Sequence, residues 1–564
     1  MADVQRWTTR DRVILHLVAA AVTALVLAPL AAPGYVLLYD MVFVPRQPLR
    51  WELVAPAYSL PRAVPLDTVV SLVTQLLPGW LVQRLALAGV IFLAAVGAGR
   101  VVPAGRPSTR LVAAIGYAWT PYLAERLLIG QWGLLVAYAA LPWIVRAALS
   151  VRSGRAGALP RLLLAAAPAA ITPTGGLLAV AAVVALVPAR ARPRSAAMAV
   201  CAVAALNGPW LAATLVSAAG GASDPAGVAA FAARGENWSG PLGALAATGG
   251  VWSAEATPAS RSSPVIPLVT LGLLLLAGLG FSRLRGRLPA GGGDRLALLA
   301  AGGFGLSALG VLPGGDSGLR WMVEQVPGAG LLRDGQKFLA PYALVLVICV
   351  ALGVERLATG KASAMAGGLT VGAMLLPIAV MPDLALGGAG RLRPVSYPSD
   401  WHRVAEQVAE DPGEVLSLPL SAYRAYPWNP GRVVLDPLPR YLATDVLTDD
   451  TLYVGDLSVA GENPRMREVR RLLAQGRPVA VTGVRWVVIQ HHTPGELDSS
   501  WLTGLQAVHQ GPSLTLYRNP VAPPDPNLPS SWWGRWVMVA ALAVDAVVVL
   551  IAAAGTLRRR PTAW

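Results

Sequence analysis

Apolar runs long enough to cross a membrane recur along most of the 564-residue chain, separated by short polar stretches rich in arginine. Residues 13–33, 81–102, 111–128, 134–149, 200–216, 265–281, 296–312, 338–354, 364–381 and 532–556 each read as a spanning helix. About 20 apolar residues in helical form cross roughly 30 Å of hydrocarbon. The stretch 162–187 differs, because Pro168 and the run Thr172-Pro173-Thr174-Gly175-Gly176 interrupt it. It reads as two short crossings, a re-entrant hairpin or one kinked helix.

The pattern changes after residue 383. Residues 401–410 and 466–474 have amphipathic helical spacing, 415–418 reads as a short strand, and 484–489 is a continuous apolar strand. Residues 505–508 and 514–517 flank Gly511-Pro512 as a hairpin. Such alternation implies a small α/β domain with a mixed sheet. The expected fold is an α-helical polytopic membrane protein of about twelve transmembrane helices. Residues 1–383 form the polytopic part, 384–528 the α/β domain, and 529–564 a last helix with a basic tail.

Composition supports a lipid solvent. The chain is 55% hydrophobic and 14% charged, against about 25% charged residues in soluble domains. The net charge of +15 sits in arginine clusters between apolar runs, which is the positive-inside pattern of a membrane protein rather than a nucleic-acid footprint. The clusters are Arg6/Arg10/Arg12, Arg100/Arg106/Arg110, Arg146/Arg152/Arg155/Arg161, Arg190/Arg192/Arg194, Arg283/Arg285/Arg287/Arg295, Arg356/Lys361 and Arg558/Arg559/Arg560. If all are cytoplasmic, both termini lie inside the plasma membrane and residues 384–528 lie outside. Cys201 and Cys349 fall within apolar runs and read as packed thiols.

No P-loop, dinucleotide fingerprint, nucleophile elbow or zinc-type Cys/His spacing is present, which turns attention to polar residues at the outer ends of the helices. Asp40 follows the first run, with Arg46 nearby; a carboxylate there can deprotonate an acceptor hydroxyl or hold a divalent metal. Arg333 and Lys337, with Asp334 between them, stand at the mouth of the 338–354 run and suit a phosphate, or else anchor helix depth. Glu125-Arg126, with Gln131-Trp132, occupies a short outer turn and supports the site or forms an internal ion pair. Asp545 lies within the last run, where a carboxylate is costly and calls for a partner. His491-His492 ends a strand, and Trp401, Tyr423, Tyr426 and Trp428 either stack on sugars or pack a core.

Five segments in this order carry a resemblance: Tyr39-Asp40, Gly249-Gly250-Val251-Trp252, residues 332–338, residues 418–423 and residues 483–488. Together with the layout, they resemble actinobacterial membrane glycosyltransferases of the GT-C superfamily, of the arabinofuranosyltransferase-like kind. The resemblance implies transfer of a sugar from a polyprenyl-phosphate donor to a cell-envelope glycan acceptor outside the cytoplasmic membrane. It assigns Asp40 as general base or metal ligand, and Arg333 and Lys337 to the departing phosphate. Such proteins often carry paired acids in the first outer loop, whereas Asp40 has no adjacent acid; Glu52 and Asp67 reach it only if the loop folds back. The alternative function is a non-catalytic envelope-assembly scaffold, or a transporter of lipid or polysaccharide.

Overall fold

The computed structural model describes residues 7–189, 192–221, 223–289, 291–522 and 532–557. Arg6, Arg190 and the basic tail Arg558 to Arg560 lie outside the described residues. Among the described residues, eight helices are long and apolar enough to cross a membrane: Thr9–Ala31, Gly79–Val101, Trp132–Arg152, Ile266–Arg287, Gly292–Val311, Gly335–Ala358, Ser363–Val380 and Trp532–Leu557. A ninth span is a bent pair, Pro193–Ala205 and Gly208–Val216, with 49° between its halves. The outer faces of these helices expose large apolar side chains such as Leu275 (64%) and Ile551 (65%). Hydrocarbon satisfies such a surface and water does not. The chain is a multi-pass membrane protein.

Three of the expected runs depart from a straight helix, and proline explains each. The 111–128 run is two helices, Pro107–Ala118 and Pro121–Leu128. Thr120 is extended ahead of Pro121 and its hydroxyl caps the second helix by accepting from the Leu123 amide at 3.2 Å. A residue before proline avoids helical backbone, and proline fits the first helical position because no partner is needed there. The 162–187 stretch is likewise two helices, Ala158–Ala170 and Pro173–Leu186, with Thr172 as the cap between them. They form a hairpin along Trp132–Arg152. Its tip meets the start of that helix, where a Cβ on Gly133 would lie 3.0 Å from Thr172 Cγ2. Its open end meets the arginines, with Arg152 bonding the Pro188 carbonyl and Arg295 the Ala185 carbonyl. In the bent pair, Pro209 follows the break, and Asn207 bonds both Val203 and Trp210 across it.

The arginine clusters gather at one end of the bundle. Arg100 meets His16 at 3.3 Å, Arg146 bonds the Arg100 carbonyl, and Arg110 lies over Trp7. Glu355 joins this end by accepting from Arg283, Arg287, Thr109 and the Gly105 amide. The segment after the first helix meets the unit that carries the sheet, where the Tyr35 amide donates to the Val395 carbonyl at 2.7 Å in an isolated bridge.

The sheet itself has five strands: β1 (Val415–Leu418), β4 (Val446–Leu447), β7 (Trp486–Gln490), β8 (Gln506–Gln510) and β9 (Leu514–Arg518). Their order is β4-β1-β7-β9-β8, parallel across β4, β1 and β7, then antiparallel through β9 and β8. Two further strands, β2 (Tyr423–Ala425) and β3 (Val433–Leu435), pair with each other, as do β5 (Leu452–Val454) and β6 (Leu457–Val459). The helices Ser399–Glu410 and Pro464–Ala474 lie where amphipathic spacing put them. Trp401 and Tyr426 are buried in an aromatic cluster with Tyr397, Trp428 and Tyr441. They pack a core and present no face to a sugar.

Candidate functional site

Residues 34–47 leave the first helix as a largely buried segment clamped between the helices and the sheet unit. Leu38 and Met41 exchange backbone hydrogen bonds at 3.2 and 2.9 Å, so Tyr39 and Asp40 form the tip of a tight turn. Tyr39 has φ +46, the left-handed region that such a turn uses and that costs a non-glycine residue about 1 kcal/mol or more. The strain is held by strand contacts. The Tyr39 amide donates to Val433 and its carbonyl accepts from Leu435, extending β3. Gly130 lets the turn between Pro121–Leu128 and Trp132–Arg152 press against this tip. Its φ is +82, and a Cβ there would fall 2.3 Å from the Met41 nitrogen.

Asp40 is half-buried and both carboxylate oxygens are engaged. One accepts from the Tyr423 hydroxyl at 2.6 Å, the other from the Gln131 side-chain amide at 3.1 Å. Burial, and then the charge of Asp40, push the Tyr423 phenol well above its usual range. Tyr423 therefore stays a donor that orients the carboxylate. Gln131 passes the network inward, its carbonyl accepting from Arg126 at 2.7 Å.

Arg126 is fully buried and grips Asp334 bidentately, with both bonds at 2.7 Å. Its Nε also donates to Gln336 at 2.8 Å. Burial alone would raise the Asp334 carboxyl, but the charges of Arg126 and Lys337 together with the Arg126 hydrogen bonds outweigh it and hold the group below its usual value. The Trp252 indole donates to the same carboxylate. Lys337 Nζ stands 3.7 Å from Asp334, and its side chain is 27% exposed. Lys337 is thus partly exposed beside a buried pair, within electrostatic reach of Asp40 and Arg62.

On its other face the Pro121–Leu128 helix presents Glu125, which accepts from the Val251 amide at 3.0 Å and from Gln336 at 3.3 Å. Glu125 Oε1 lies beside Glu236, whose own carboxylate pairs with buried Arg261 at 2.8 Å. Gly249 is required between them, because a Cβ would lie 2.2 Å from Glu236 Oε1 and 2.7 Å from Glu125 Oε1. Beside Arg261 opens an apolar groove of about 470 Å³ that runs between helices, lined by Gly116, Leu273, Leu276, Val347, Val350 and Leu376.

Four of the five segments behind the resemblance therefore converge: Tyr39-Asp40, Gly249 to Trp252, residues 332–338 and residues 418–423. The fifth leads into β7, where the Trp486 indole bonds the Asp411 carbonyl within the sheet unit. Arg333 points to a different edge of the site, pairing with Glu462 at 3.2 Å over the Phe231 ring. Arg62 pairs with the same glutamate. Arg46 is exposed and bonds Gln75. Among the described residues, one Asp545 oxygen finds no hydrogen-bond partner. His491 bonds Thr515 at 2.8 Å. Among the described residues, no three His, Cys, Asp or Glu side chains group as metal ligands. Gln131 and Gln336 lie in stretches that the sequence marks, whereas Glu236, Arg261, Arg62 and Glu462 carry no sequence signal of their own; position in space alone identifies them.

Glu52 and Asp67 are engaged elsewhere. Asp67 pairs with Arg440 at 3.1 Å. Glu52 accepts from the Ala57 amide, and burial followed by the Asp445 charge pushes its carboxyl from 4.5 up to about 8. A carboxyl raised on folding binds its proton more tightly in the folded state. Its protonated form stabilises the fold below about 4.5, and that stability declines as pH rises toward 8. The thermal unfolding midpoint of the purified protein is expected to fall between pH 5 and pH 9, and Glu52→Gln should flatten the decline. An equal decline in the variant assigns it to other groups.

The sequence matches no family model and no curated protein. The structure does have counterparts. A cryo-EM structure of arabinofuranosyltransferase AftD from Mycobacteria matches with a TM-score of 0.61 at 17% identity, covering 93% of this chain and 41% of that one. A mutant form of the same enzyme matches with a TM-score of 0.55 at 16% identity, covering 93% and 42%. The chain shares this fold and spans about two fifths of the length of the structures it matches.

Proposed function

We propose that the chain is a GT-C-type membrane glycosyltransferase that moves a sugar from a polyprenyl-phosphate donor to a hydroxyl of a cell-envelope glycan. The observation that carries this reading is one connected network, Asp40–Gln131–Arg126–Asp334–Lys337, whose central Arg126–Asp334 pair is buried and whose two ends are partly exposed. An anion and a cation held this way can serve the two halves of one displacement. The Asp40 carboxylate takes the proton from the acceptor hydroxyl as its oxygen attacks the anomeric carbon. The bond from that carbon to the donor phosphate breaks, and the electron pair leaves with the polyprenyl phosphate. Lys337, with Arg62 within electrostatic reach, meets the charge that develops there. The apolar groove offers a wall for an isoprenoid tail. Fold likeness to a glycosyltransferase supports the reading.

In this reading the arginine end is cytoplasmic and the sheet unit extracytoplasmic. Beyond the eight long helices, the bent pair and the broken run 107–128 count as one crossing each and the hairpin arms as two. That gives about twelve crossings, an even number, which keeps both termini inside.

The test is transfer of radiolabelled sugar from a panel of polyprenyl-phosphate donors into membranes with and without the protein. At least one donor should show protein-dependent transfer. Lys337→Met is expected to lower kcat by about 10²–10³-fold, the usual effect of losing a stabiliser of the departing charge. Transfer at the wild-type rate in Lys337→Met removes the cation from the mechanism, and no transfer from any donor sinks the enzymatic reading.

A further inference from the structure

Backbone strain gathers at one rim of the candidate site. Among the described residues, five non-glycine positions have positive φ, and four of them lie on three segments that meet beside Asp40: Tyr39 (+46), Thr248 (+66), Leu386 (+52) and Ala389 (+54). The last two belong to a left-handed turn in which every residue from Leu386 to Gly390 has positive φ. Such a run is costly for residues with a Cβ, and it persists where the surroundings over-determine it, notably at ligand clamps. The three segments meet around a small apolar cluster of Leu128, Ile129, Val251 and Ala256. Tyr39 and Trp252 pack against that cluster, and the Asp40 amide donates to the Ile129 carbonyl at 3.1 Å. Gly388 presses so closely on Leu128 that a Cβ would fall 2.6 Å from its Cδ2. Thr248 opens the loop that carries Val251, Trp252 and Ala256.

Three polar side chains rim the cluster. Glu255, next to Ala256, is exposed and accepts from the Ser253 hydroxyl at 3.2 Å. Arg391 leaves the left-handed turn and donates to the Glu255 backbone carbonyl, which holds the two charged residues side by side. Tyr39 and Arg391 are both partly exposed, so all three residues can meet a solute. Burial and then the Glu255 charge raise the Tyr39 phenol, while Arg391 acts the other way; the three lie within electrostatic reach of one another. A sugar offers an apolar C–H face, and its hydroxyls both donate and accept. A phenol ring gives the face a flat partner, a carboxylate accepts and a guanidinium donates. A phosphate suits the set less well, because the carboxylate repels it. We propose that Tyr39, Glu255 and Arg391 form the subsite that holds the terminal sugar of the acceptor glycan beside Asp40. The place of this subsite in the reaction rests on the transfer reading above. Asp40 follows Tyr39 in the same tight turn, so a sugar held here has its hydroxyls close to the base.

The experiment uses the full chain purified in detergent and the hexasaccharide fraction of a cell-envelope glycan digest. Transfer kinetics and equilibrium binding of the hexasaccharide are measured for wild type, Glu255→Gln, Arg391→Gln and Tyr39→Leu. Glu255 is exposed, so its substitution leaves packing intact even if another variant folds poorly. Glu255→Gln and Arg391→Gln are each expected to raise the acceptor KM and the hexasaccharide Kd by about tenfold, the loss of one charge-assisted hydrogen bond. Tyr39→Leu should raise both as well, and the donor KM should stay at its wild-type value in all three. If acceptor KM and Kd are unchanged in every variant, or if the donor KM rises instead, the proposal is overturned and the transfer reading stands. If wild type transfers no sugar, the transfer reading fails and binding alone decides. Hexasaccharide binding that the variants weaken then upholds a sugar site, whereas no binding, or equal binding in all variants, overturns it.

Discussion

Asp40→Asn is expected to lower sugar transfer by about 10²–10⁴-fold, the range for loss of a positioned general base, without lowering the amount of folded protein. The local bonding explains why the two effects should separate. Asparagine can turn its oxygen toward the Gln131 amide and its nitrogen toward the Tyr423 oxygen, so both contacts at 3.1 and 2.6 Å survive. Only the capacity to take a proton is lost. Tyr423→Phe keeps the base but removes the donor that aims it, and a smaller fall is expected. Membrane preparations assayed for transfer, with protein quantified in parallel, check both. Undiminished transfer by Asp40→Asn would take this carboxylate out of the chemistry.

Arg126→Met is expected to have the largest effect on stability. The Arg126 side chain is 0% exposed and that of Asp334 is 7% exposed, so removing the cation strands a carboxylate away from water. Breaking one side of a buried pair costs about 3–5 kcal/mol. Here it also leaves Gln131 and Gln336 without the donor that holds them. The thermal unfolding midpoint of the purified protein should drop sharply. Arg126→Met/Asp334→Leu should recover part of the loss, since an apolar pair of similar volume avoids the uncompensated charge. A single variant that unfolds at the wild-type temperature would show that the pair does not hold the site together.

The membrane helices, the mixed sheet and the strand Val415–Leu418 were legible in the chain because each reflects local periodicity. Apolar run length reports a crossing, and a strand between turn residues reports a strand. The two short arms at 158–186 were half legible, since Pro173 marks the turn but arm length alone leaves its geometry open. The break at Thr120-Pro121 was written in the sequence as a cap followed by proline. It is masked there by the apolar residues on either side, which read as one span.

The composition of the candidate site was only partly visible. Asp40, Arg126, Asp334 and Lys337 stand out as charges at the ends of apolar runs, where desolvation makes a charge costly without a purpose or a partner. Sequence alone therefore determined the solvent of the chain, its helical class, its small sheet and which charges needed explaining. Which charge meets which was decided by the tertiary structure. Asp40 and Tyr423 are 383 positions apart and Arg126 and Asp334 are 208 apart. Hydrophobic periodicity carries information over a turn or two of helix, whereas these pairs form because packing of the whole bundle against the sheet unit brings their ends to one place.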